Sequence, residues 1–200
     1  MRTYLDGMGF KTLRGEVRFW QAMFGLCFWE EIFTDTGQPD TLNDIPLDLF
    51  SGTPFYQARR AAIDGKAAAV ANSDLRRFVG EQLRRHGLTW TRIVFDGPRG
   101  DFSYRQVLDS PNVSEFLSVI QPGVFAKIVH RIAMNPNENR AGLPDYVAWR
   151  EQVLFIEVKG IRERIRDTQA VWLSWMHAGG IPVKVLRIKG VSKTPGGSPC

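Results

Sequence analysis

Three charged side chains lie in or beside an apolar segment near the end of the chain. Residues 153–158 read Val-Leu-Phe-Ile-Glu-Val, Lys159 follows, and Asp145 lies shortly upstream. Because successive side chains of a strand alternate between faces, Glu157 and Lys159 would share one face. The apolar neighbours predict a central strand covered on both sides, where an ionised carboxylate is costly unless it is paired or bound to a cation. An exposed edge strand could carry the same pair without any function.

Two carboxylates and a lysine in this arrangement suit phosphodiester hydrolysis. Mg²⁺ is usually bound through one or two carboxylates together with waters and substrate phosphates. A metal held by Asp145 and Glu157 would lower the pKa of a bound water and neutralise phosphate charge, and Lys159 would stabilise or orient the attacking water. Pairs of this kind also occur by chance, so the surrounding elements must decide between a site and a coincidence.

The segments around these residues predict an α/β core. Residues 145–149 and 153–160 are β-branched and aromatic and are separated by a short turn, which predicts a hairpin. A helix over 162–180 and a strand over 183–188 are expected to follow. Upstream, residues 15–33 are apolar nearly all round, which predicts a helix buried on most sides.

The middle of the chain predicts a mainly helical insertion over about 34–140. Residues 34–55 are rich in Asp, Thr, Gly and Pro, as in a loop with short turns. We expect a helix from Ser73 to a stop at Gly87 and a strand or extended segment over 89–97. The remaining expected elements are a helix over 56–71, a helix over 113–135 broken at Pro122-Gly123, and a disordered tail over 190–200.

Composition limits the class of protein without identifying it. Two hundred residues fit one domain, and the net charge of +5 permits an anionic partner or none. The two cysteines, Cys27 and Cys200, have no metal-ligand spacing, which is typical of a reduced, intracellular protein. No apolar stretch reaches the roughly 18 residues that a membrane span needs, and the first residues do not form a signal peptide.

Pro144-Asp145, followed after eleven residues by Glu157-Val158-Lys159, resembles the PD-(D/E)xK nuclease superfamily. The context "GLPDYVAW", "FIEVKG" and "RERIRDTQAVWL" is similar to the VRR-NUC domain, and in particular to the C-terminal nuclease of the Fanconi-associated nuclease family. "GEVRFWQAMFGLCFWEEIF" and "IPLDLFSGTPFYQARR" resemble segments of that family as well. The resemblance covers about residues 14–188.

This resemblance implies a fold and a set of site residues. The fold would be a restriction-endonuclease-like core, a mixed sheet flanked by helices, within one nuclease domain over residues 1–189. The implied metal ligands are Glu16, Asp145, Glu157 and Val158, and Lys159 would be the catalytic lysine. From the residues alone, Glu16 would be a helix N-terminal charge, although it lies in line with Trp20 and Met23 on an apolar face.

Gln169 lies on the stripe of Trp172 and Met176, so its amide is expected to point at the sheet. The resemblance implies a catalytic role near the metal, and the alternative is a core amide bonded to backbone. Thr168 replaces a lysine that is frequent in relatives. A set of arginines could bind DNA phosphates, or could form an ordinary solvated surface: Arg59, Arg60, Arg76, Arg77, Arg84, Arg85 and Arg164.

The resemblance therefore implies a Mg²⁺- or Mn²⁺-dependent endonuclease or exonuclease of the phosphodiesterase I type. Its expected substrate is branched or 5′-flap DNA, in interstrand cross-link repair. An intracellular monomer without a membrane partner is expected, in the cytoplasm or nucleoid if the protein is bacterial and in the nucleus if it is eukaryotic. One alternative is a dimeric Holliday-junction resolvase, although the 34–140 insertion would occupy the dimer surface. The other is a non-catalytic DNA- or protein-binding module that retains the fold. Family members are much longer than this chain.

Overall fold

The computed structural model describes residues 1–15, 17–34, 45–95 and 111–188; for residues 17 and 87–95 it describes the backbone alone. In chain order the elements are α1 Arg2–Gly7, β1 Lys11–Arg14, α2 Val17–Cys27, α3 Trp29–Ile32, a 3₁₀ helix Leu47–Phe50, α4 Pro54–Ala71, α5 Leu75–Phe95, α6 Pro111–Val119, α7 Pro122–Met134, α8 Pro136–Asn139, β2 Tyr146–Trp149, β3 Val153–Lys159, α9 Asp167–Ala178 and β4 Val183–Arg187.

Within the described ranges one mixed sheet forms, with the strand order β1-β2-β3-β4. β1 and β2 are antiparallel, with Leu13 opposite Val147. β2 and β3 form the predicted antiparallel hairpin, and β3 pairs in parallel with β4, where Glu157 lies opposite Val185. β3 is therefore an inner strand, as its apolar sequence predicts.

The two faces of this sheet are covered to different extents. On one face Phe155 packs with Trp20 of α2, at a ring distance of 6.1 Å, within a large core to which α6, α7 and α9 also contribute. On the other face Ile156 joins a small cluster with Ala148 and Leu5 of α1. The alternation of β3 side chains thus divides the strand between two cores, and the predicted α/β sheet flanked by helices is confirmed.

Helices α4 to α7, which we call the helical block, pack against one another and against α2. α4 lies against α7, and α5 lies against α2. Lys66 of α4 forms an ion pair with Glu30 of α3 and lies 3.7 Å from the carboxylate of buried Glu31. Burial raises the pKa of Glu31, although Lys66 opposes the shift. These contacts join the block to the core through α2 and α3.

Two sequence-based boundaries are wrong. α5 continues through Gly87 to Phe95. The helix therefore does not end at Gly87 as expected, and the expected strand or extended segment that begins at residue 89 is helical as far as residue 95. A glycine in a helix interior costs about 1 kcal/mol, which a long packed helix can tolerate. β-branched residues form a strand only where a partner strand is available. Residues 96–110 lie outside the described residues.

α9 begins at Asp167 rather than at residue 162. The preceding segment turns back on itself, because the Glu163 carboxylate accepts the backbone N–H of Gly160 at 3.1 Å. α1 and β1 have no counterpart in the sequence predictions. The expected disordered tail, residues 190–200, lies outside the described residues.

No helix in the described part of the chain has the length and apolar character needed to cross a membrane.

Candidate active site

The hairpin brings Asp145 and Glu157 together. Asp145 directly precedes β2, and its Oδ2 accepts the backbone N–H of Val158 at 2.8 Å. Glu157 lies on β3 on the same face as Phe155 and has no exposed surface (0%). Because antiparallel pairing places the start of β2 beside the end of β3, two residues twelve positions apart in sequence become neighbours.

The backbone of Val158 faces Asp145. Alternate residues of an inner strand direct their backbone groups to opposite neighbours. Phe155 and Lys159 bond toward β4, through Phe155 N–H to Pro182 and Ile188 N–H to Lys159. Val158 therefore directs its N–H and its carbonyl toward the Asp145 side.

The two oxygens of Glu157 have different environments. Oε1 accepts one hydrogen bond from Nζ of Lys159, at 2.7 Å, and another from Nε2 of Gln169, at 2.6 Å. Oε2 is buried and has no hydrogen-bond partner among the described residues. Leaving a buried carboxylate oxygen unpaired is costly, and a hard cation would satisfy it. The donor set, two carboxylates and a backbone carbonyl, fits a divalent metal of the Mg²⁺ or Mn²⁺ kind.

Lys159 is buried (2% exposed) and lies among carboxylates. Its Nζ is 2.7 Å from Glu157 and 3.6 Å from Oε1 of Glu163. Burial alone would lower the pKa of Lys159, but the hydrogen bond to Glu157 and the charges of Glu157, Glu163 and Asp145 raise it. The lysine is thus a charged hydrogen-bond donor.

Burial raises the pKa of Glu157, and the nearby charge of Asp145 adds to that shift. The hydrogen bond from Lys159 acts in the opposite direction. The carboxylate is therefore in a place where an additional positive charge would stabilise its ionised form.

Glu163 is a contact that the sequence predictions missed. Its side chain is half exposed (53%), its carboxylate caps the turn at Gly160, and its carbonyl accepts Nη1 of Arg187 at 3.1 Å. The sequence signal that could have predicted this contact is a carboxylate four residues after the lysine. The turn that brings the two side chains together is not evident from spacing alone.

Gln169 is oriented from both ends of its amide. Oε1 accepts the backbone N–H of Arg166 at 3.0 Å, which leaves Nε2 to donate to Glu157. Trp172 and Met176 are buried below it on the same helix. The prediction that this amide points at the sheet is met by the geometry, and its bond to backbone is part of the same arrangement.

Gly142 positions the start of α9 against the loop that leads to Asp145. Its φ is +91°, and a Cβ at this position would lie 2.5 Å from the carbonyl oxygen of Thr168 and 3.0 Å from the backbone nitrogen of Gln169. Only glycine combines this φ with so close an approach. The contact fixes the distance between the two segments that carry Asp145 and Gln169.

Glu16 lies outside the described residues, and its role stays a prediction. The residue before it, Gly15, donates its N–H to the carbonyl of Asp145 at 3.0 Å. A Cβ on Gly15 would lie 2.8 Å from Cγ2 of Val147. The chain just ahead of Glu16 is thus packed closely against the segment that carries Asp145.

The predicted DNA-binding arginines lie in several places. Arg59 forms an ion pair with Asp48 at 2.6 Å and is mostly buried (15% exposed). Arg60 lies 3.6 Å from Asp64, and Arg77 lies 3.1 Å from Glu81. The others have exposed side chains, Arg76, Arg84 and Arg85 on α5 and Arg164 in the segment before α9. Their role in DNA binding stays a prediction.

The mixed sheet flanked by helices defines the class of fold, a restriction-endonuclease-like α/β fold. Residues 102–190 match the VRR-NUC domain family. This match, over somewhat less than half of the chain, is to the same family that the motifs resemble.

Curated relatives resemble the chain over most of its length. It is 26% identical over 197 residues to the Fanconi-associated nuclease 1 homolog of Caenorhabditis elegans, covering 94% of this chain and 22% of that protein. It is 25% identical over 190 residues to human Fanconi-associated nuclease 1, covering 90% of this chain and 18% of that protein. The chain thus spans about a fifth of the length of these relatives.

Solved structures share the fold. A crystal structure of paFAN1 bound to 5′-flap DNA with a 2-nucleotide flap and a gap superposes with a TM-score of 0.74 at 24% identity, covering 94% of this chain and 34% of that chain. A second complex of paFAN1, with a 1-nucleotide flap, gives a TM-score of 0.71 at 24% identity, covering 90% of this chain and 32% of that chain. Both similarities extend over at least 90% of this chain.

Proposed function

We propose that this chain is a metal-dependent nuclease that hydrolyses phosphodiester bonds in branched or 5′-flap DNA, of the type that acts in interstrand cross-link repair. The observation that carries the proposal is the environment of Glu157. Its Oε1 is held by Lys159 and Gln169, while its buried Oε2 has no partner among the described residues. The choice of DNA substrate is supported by the relatives and by the flap-bound complexes.

The metal ligands would be Asp145, Glu157 through Oε2, and the carbonyl of Val158. Glu16 is the further ligand that the family resemblance implies, and the close packing of Gly15 against Asp145 supports it. When bound, a Mg²⁺ or Mn²⁺ ion would lower the pKa of a coordinated water and offset phosphate charge.

The chain's own residues would orient and stabilise the reacting groups. Lys159 keeps its positive charge and has its ammonium beside Glu157, from which it can donate to the phosphate or to the attacking water. Gln169 holds the carboxylate of Glu157 in one rotamer, so that Oε2 stays directed away from the lysine.

DNA would contact the chain mainly through its phosphates. The exposed arginines of α5, Arg76, Arg84 and Arg85, are the better candidates, whereas Arg59 would first have to release Asp48. Arg60, Arg77 and Arg164 complete the proposed set. Such binding weakens steeply as salt rises, because phosphate contacts release counterions. We propose that the protein acts as a monomer inside the cell, in the compartment that contains its DNA substrate.

The test is a cleavage assay with labelled 5′-flap, duplex, single-stranded and four-way DNA, with Mg²⁺, Mn²⁺ or EDTA. We expect metal-dependent cutting of flap DNA and its reduction by at least about 100-fold in Asp145→Ala. Glu151→Ala is the matched control, because Glu151 is an exposed carboxylate in the turn of the same hairpin.

Each outcome separates the candidate functions. Equal cleavage by Asp145→Ala and wild type would contradict the site assignment. Tight flap binding without cleavage in any metal would instead indicate a binding module. Symmetrical cutting of four-way DNA in preference to flaps would indicate a resolvase.

A further inference from the structure

A partly buried guanidinium joins the helical block to the helix that carries Gln169. Arg131 lies in the last turn of α7. Its guanidinium carbon is 4.9 Å from the ring centroid of Trp172 and 4.7 Å from that of Trp175, both on α9. The two indoles meet edge to face, at a ring distance of 5.3 Å and an interplanar angle of 87°. The guanidinium therefore contacts two rings that face it from different directions.

These two rings are the groups that stabilise the charge of Arg131. Its Nε is buried and has no hydrogen-bond partner among the described residues. Burial lowers the pKa of Arg131, and no carboxylate in the described part of the chain acts against that shift. An arginine over an indole ring gains more from the contact when its charge is removed from water. The contact between α7 and α9 is thus a charged one with a defined geometry.

The same two rings lie on the helix that positions the proposed catalytic amide. Gln169 is the third residue of α9, and Trp172, which is buried (1% exposed) in the large core, follows it by about one helical turn. A displacement of Trp172 would therefore move Gln169 with it, whereas Glu157 would stay in the sheet. The hydrogen bond from Gln169 to Glu157 is 2.6 Å long, so a shift of about 1 Å along it would take it outside hydrogen-bonding range.

The other contacts of α9 lie elsewhere on the helix. Gly142 approaches Thr168 at its start, and the helix packs against β4. Arg131 contacts the part that begins one turn further on, and it extends from α7, which packs against α4 and α2. The position of Gln169 is therefore linked through Arg131 to the packing of the helical block.

We propose that Arg131 is a positioning residue for the nuclease reaction. By holding the two indoles of α9, it keeps the amide of Gln169 on the carboxylate of Glu157. Its effect on the reaction rate rests on the proposed nuclease function, whereas its effect on the amide does not. Arg131 acts through Gln169 and needs no contact with DNA or with the metal ion.

The first test follows the side-chain amide of Gln169 by NMR in the full 200-residue chain, without metal and without DNA. The resonance is assigned by its loss in Gln169→Ala. Arg131→Met, which removes the charge and keeps the length of the side chain, should move it toward the position of a solvent-exposed amide. Arg150→Met is the matched control, because Arg150 lies 4.3 Å over the ring of Phe10, in the turn at the other end of the hairpin. It should leave the resonance in place.

The second test measures cleavage at saturating flap DNA with Mn²⁺. We expect Arg131→Met to lower the rate by about tenfold and to leave the Kd for flap DNA in EDTA unchanged. In Gln169→Ala, where the amide is already absent, the same substitution should change the rate by less than about twofold, because residues that act through one contact are not additive. The affinity for Mn²⁺, measured by calorimetry, should follow the same pattern.

Trp175→Leu repeats both tests from the other side of the contact, because it removes one ring and leaves the charge. The same displacement of the Gln169 resonance is expected. Circular dichroism and urea unfolding check that each variant is folded, so that a failure of Arg131→Met to fold leaves the second variant to test the proposal.

Three results would overturn the proposal. One is a Gln169 resonance that stays in place in Arg131→Met and in Trp175→Leu. Another is an equal loss of rate from Arg131→Met in the wild type and in Gln169→Ala. The third is a loss that lies wholly in the Kd for DNA, which would make Arg131 a DNA contact. A wild type that cuts no flap DNA in any metal would contradict the nuclease function alone, since the NMR test uses neither metal nor DNA.

Discussion

At the scale of single residues, the two oxygens of Glu157 divide the work of the site. Oε1 is held by a charged lysine and by an amide that is itself bonded to backbone. Oε2 has no hydrogen-bond partner in the part of the chain that the structure describes, and we propose that it binds the metal ion. If the carboxylate could rotate freely, its two oxygens would exchange places. By binding Oε1, the amide of Gln169 keeps Oε2 in a fixed position. Outer contacts of this kind commonly affect metal affinity or activity by 10–100-fold.

Gln169→Ala should lower cleavage of flap DNA by about 10–100-fold and weaken Mn²⁺ binding, because Glu157 would lose one of two donors that orient it. Cleavage rates and calorimetric titration with Mn²⁺ measure the two effects. Ser174→Ala, an exposed position on the same helix, should change neither. Wild-type rates and metal affinity in Gln169→Ala would show that the amide only packs against the sheet.

At the scale of elements, the site depends on the close approach of two chain segments. Gly142 lies against the first turn of α9, and Gly15 lies against the start of β2. A Cβ on Gly142 would meet the backbone of Thr168 at 2.5 Å, and a Cβ on Gly15 would meet the side chain of Val147 at 2.8 Å. The glycines therefore set where α9 and α2 begin relative to the hairpin, and the helices then carry their side chains to it.

Gly142→Ala should destabilise the protein by about 3 kcal/mol, because it adds a backbone clash to the strain of positive φ. Gly180→Ala is the matched comparison. Gly180 has φ +70° with nothing within 4 Å of a Cβ, so only the strain of about 1–2 kcal/mol applies. Urea unfolding gives both free energies. Equal losses for the two variants would mean that α9 can move away from residue 142 without cost.

At the scale of the whole molecule, the sheet has one face buried under helices and two charged edges. β1 carries exposed Lys11 and Arg14, and β4 carries exposed Lys184 and Arg187. Lysine and arginine on edge strands disfavour pairing with another chain. Asn112 of α6 also bonds to the carbonyl of Thr12, which covers part of the β1 edge. These features favour a single copy in solution.

Analytical ultracentrifugation at tens of micromolar should therefore give the mass of one chain, 22.7 kDa, at low and at physiological salt. Charge repulsion between edges would relax as salt rises, so the higher salt is the stricter condition. A stable species of twice that mass would contradict the prediction and would support the dimeric alternative.

Local patterns in the sequence were enough to predict the hairpin, its buried inner strand and the shared face of Glu157 and Lys159. The reason is that the two-residue period of a strand and the turn between 149 and 153 depend only on neighbouring residues. The helices over Pro54–Ala71 and Pro122–Met134 follow from local spacing in the same way. The motifs also resemble the VRR-NUC domain, the family whose model matches residues 102–190.

Only the tertiary structure decided which distant segments meet. β1 is four residues long and has no strong pattern of its own, and its place beside β2 depends on pairing across more than 130 residues. The continuation of α5 past Gly87 shows the reverse case, in which packing overrides a local stop signal. The hydrogen bond from Gln169 to Glu157 and the approach of Gly142 to Thr168 arise from such placement of separate segments. Spacing along the chain determines which face a side chain occupies, but what it meets on that face depends on the packing of the whole fold.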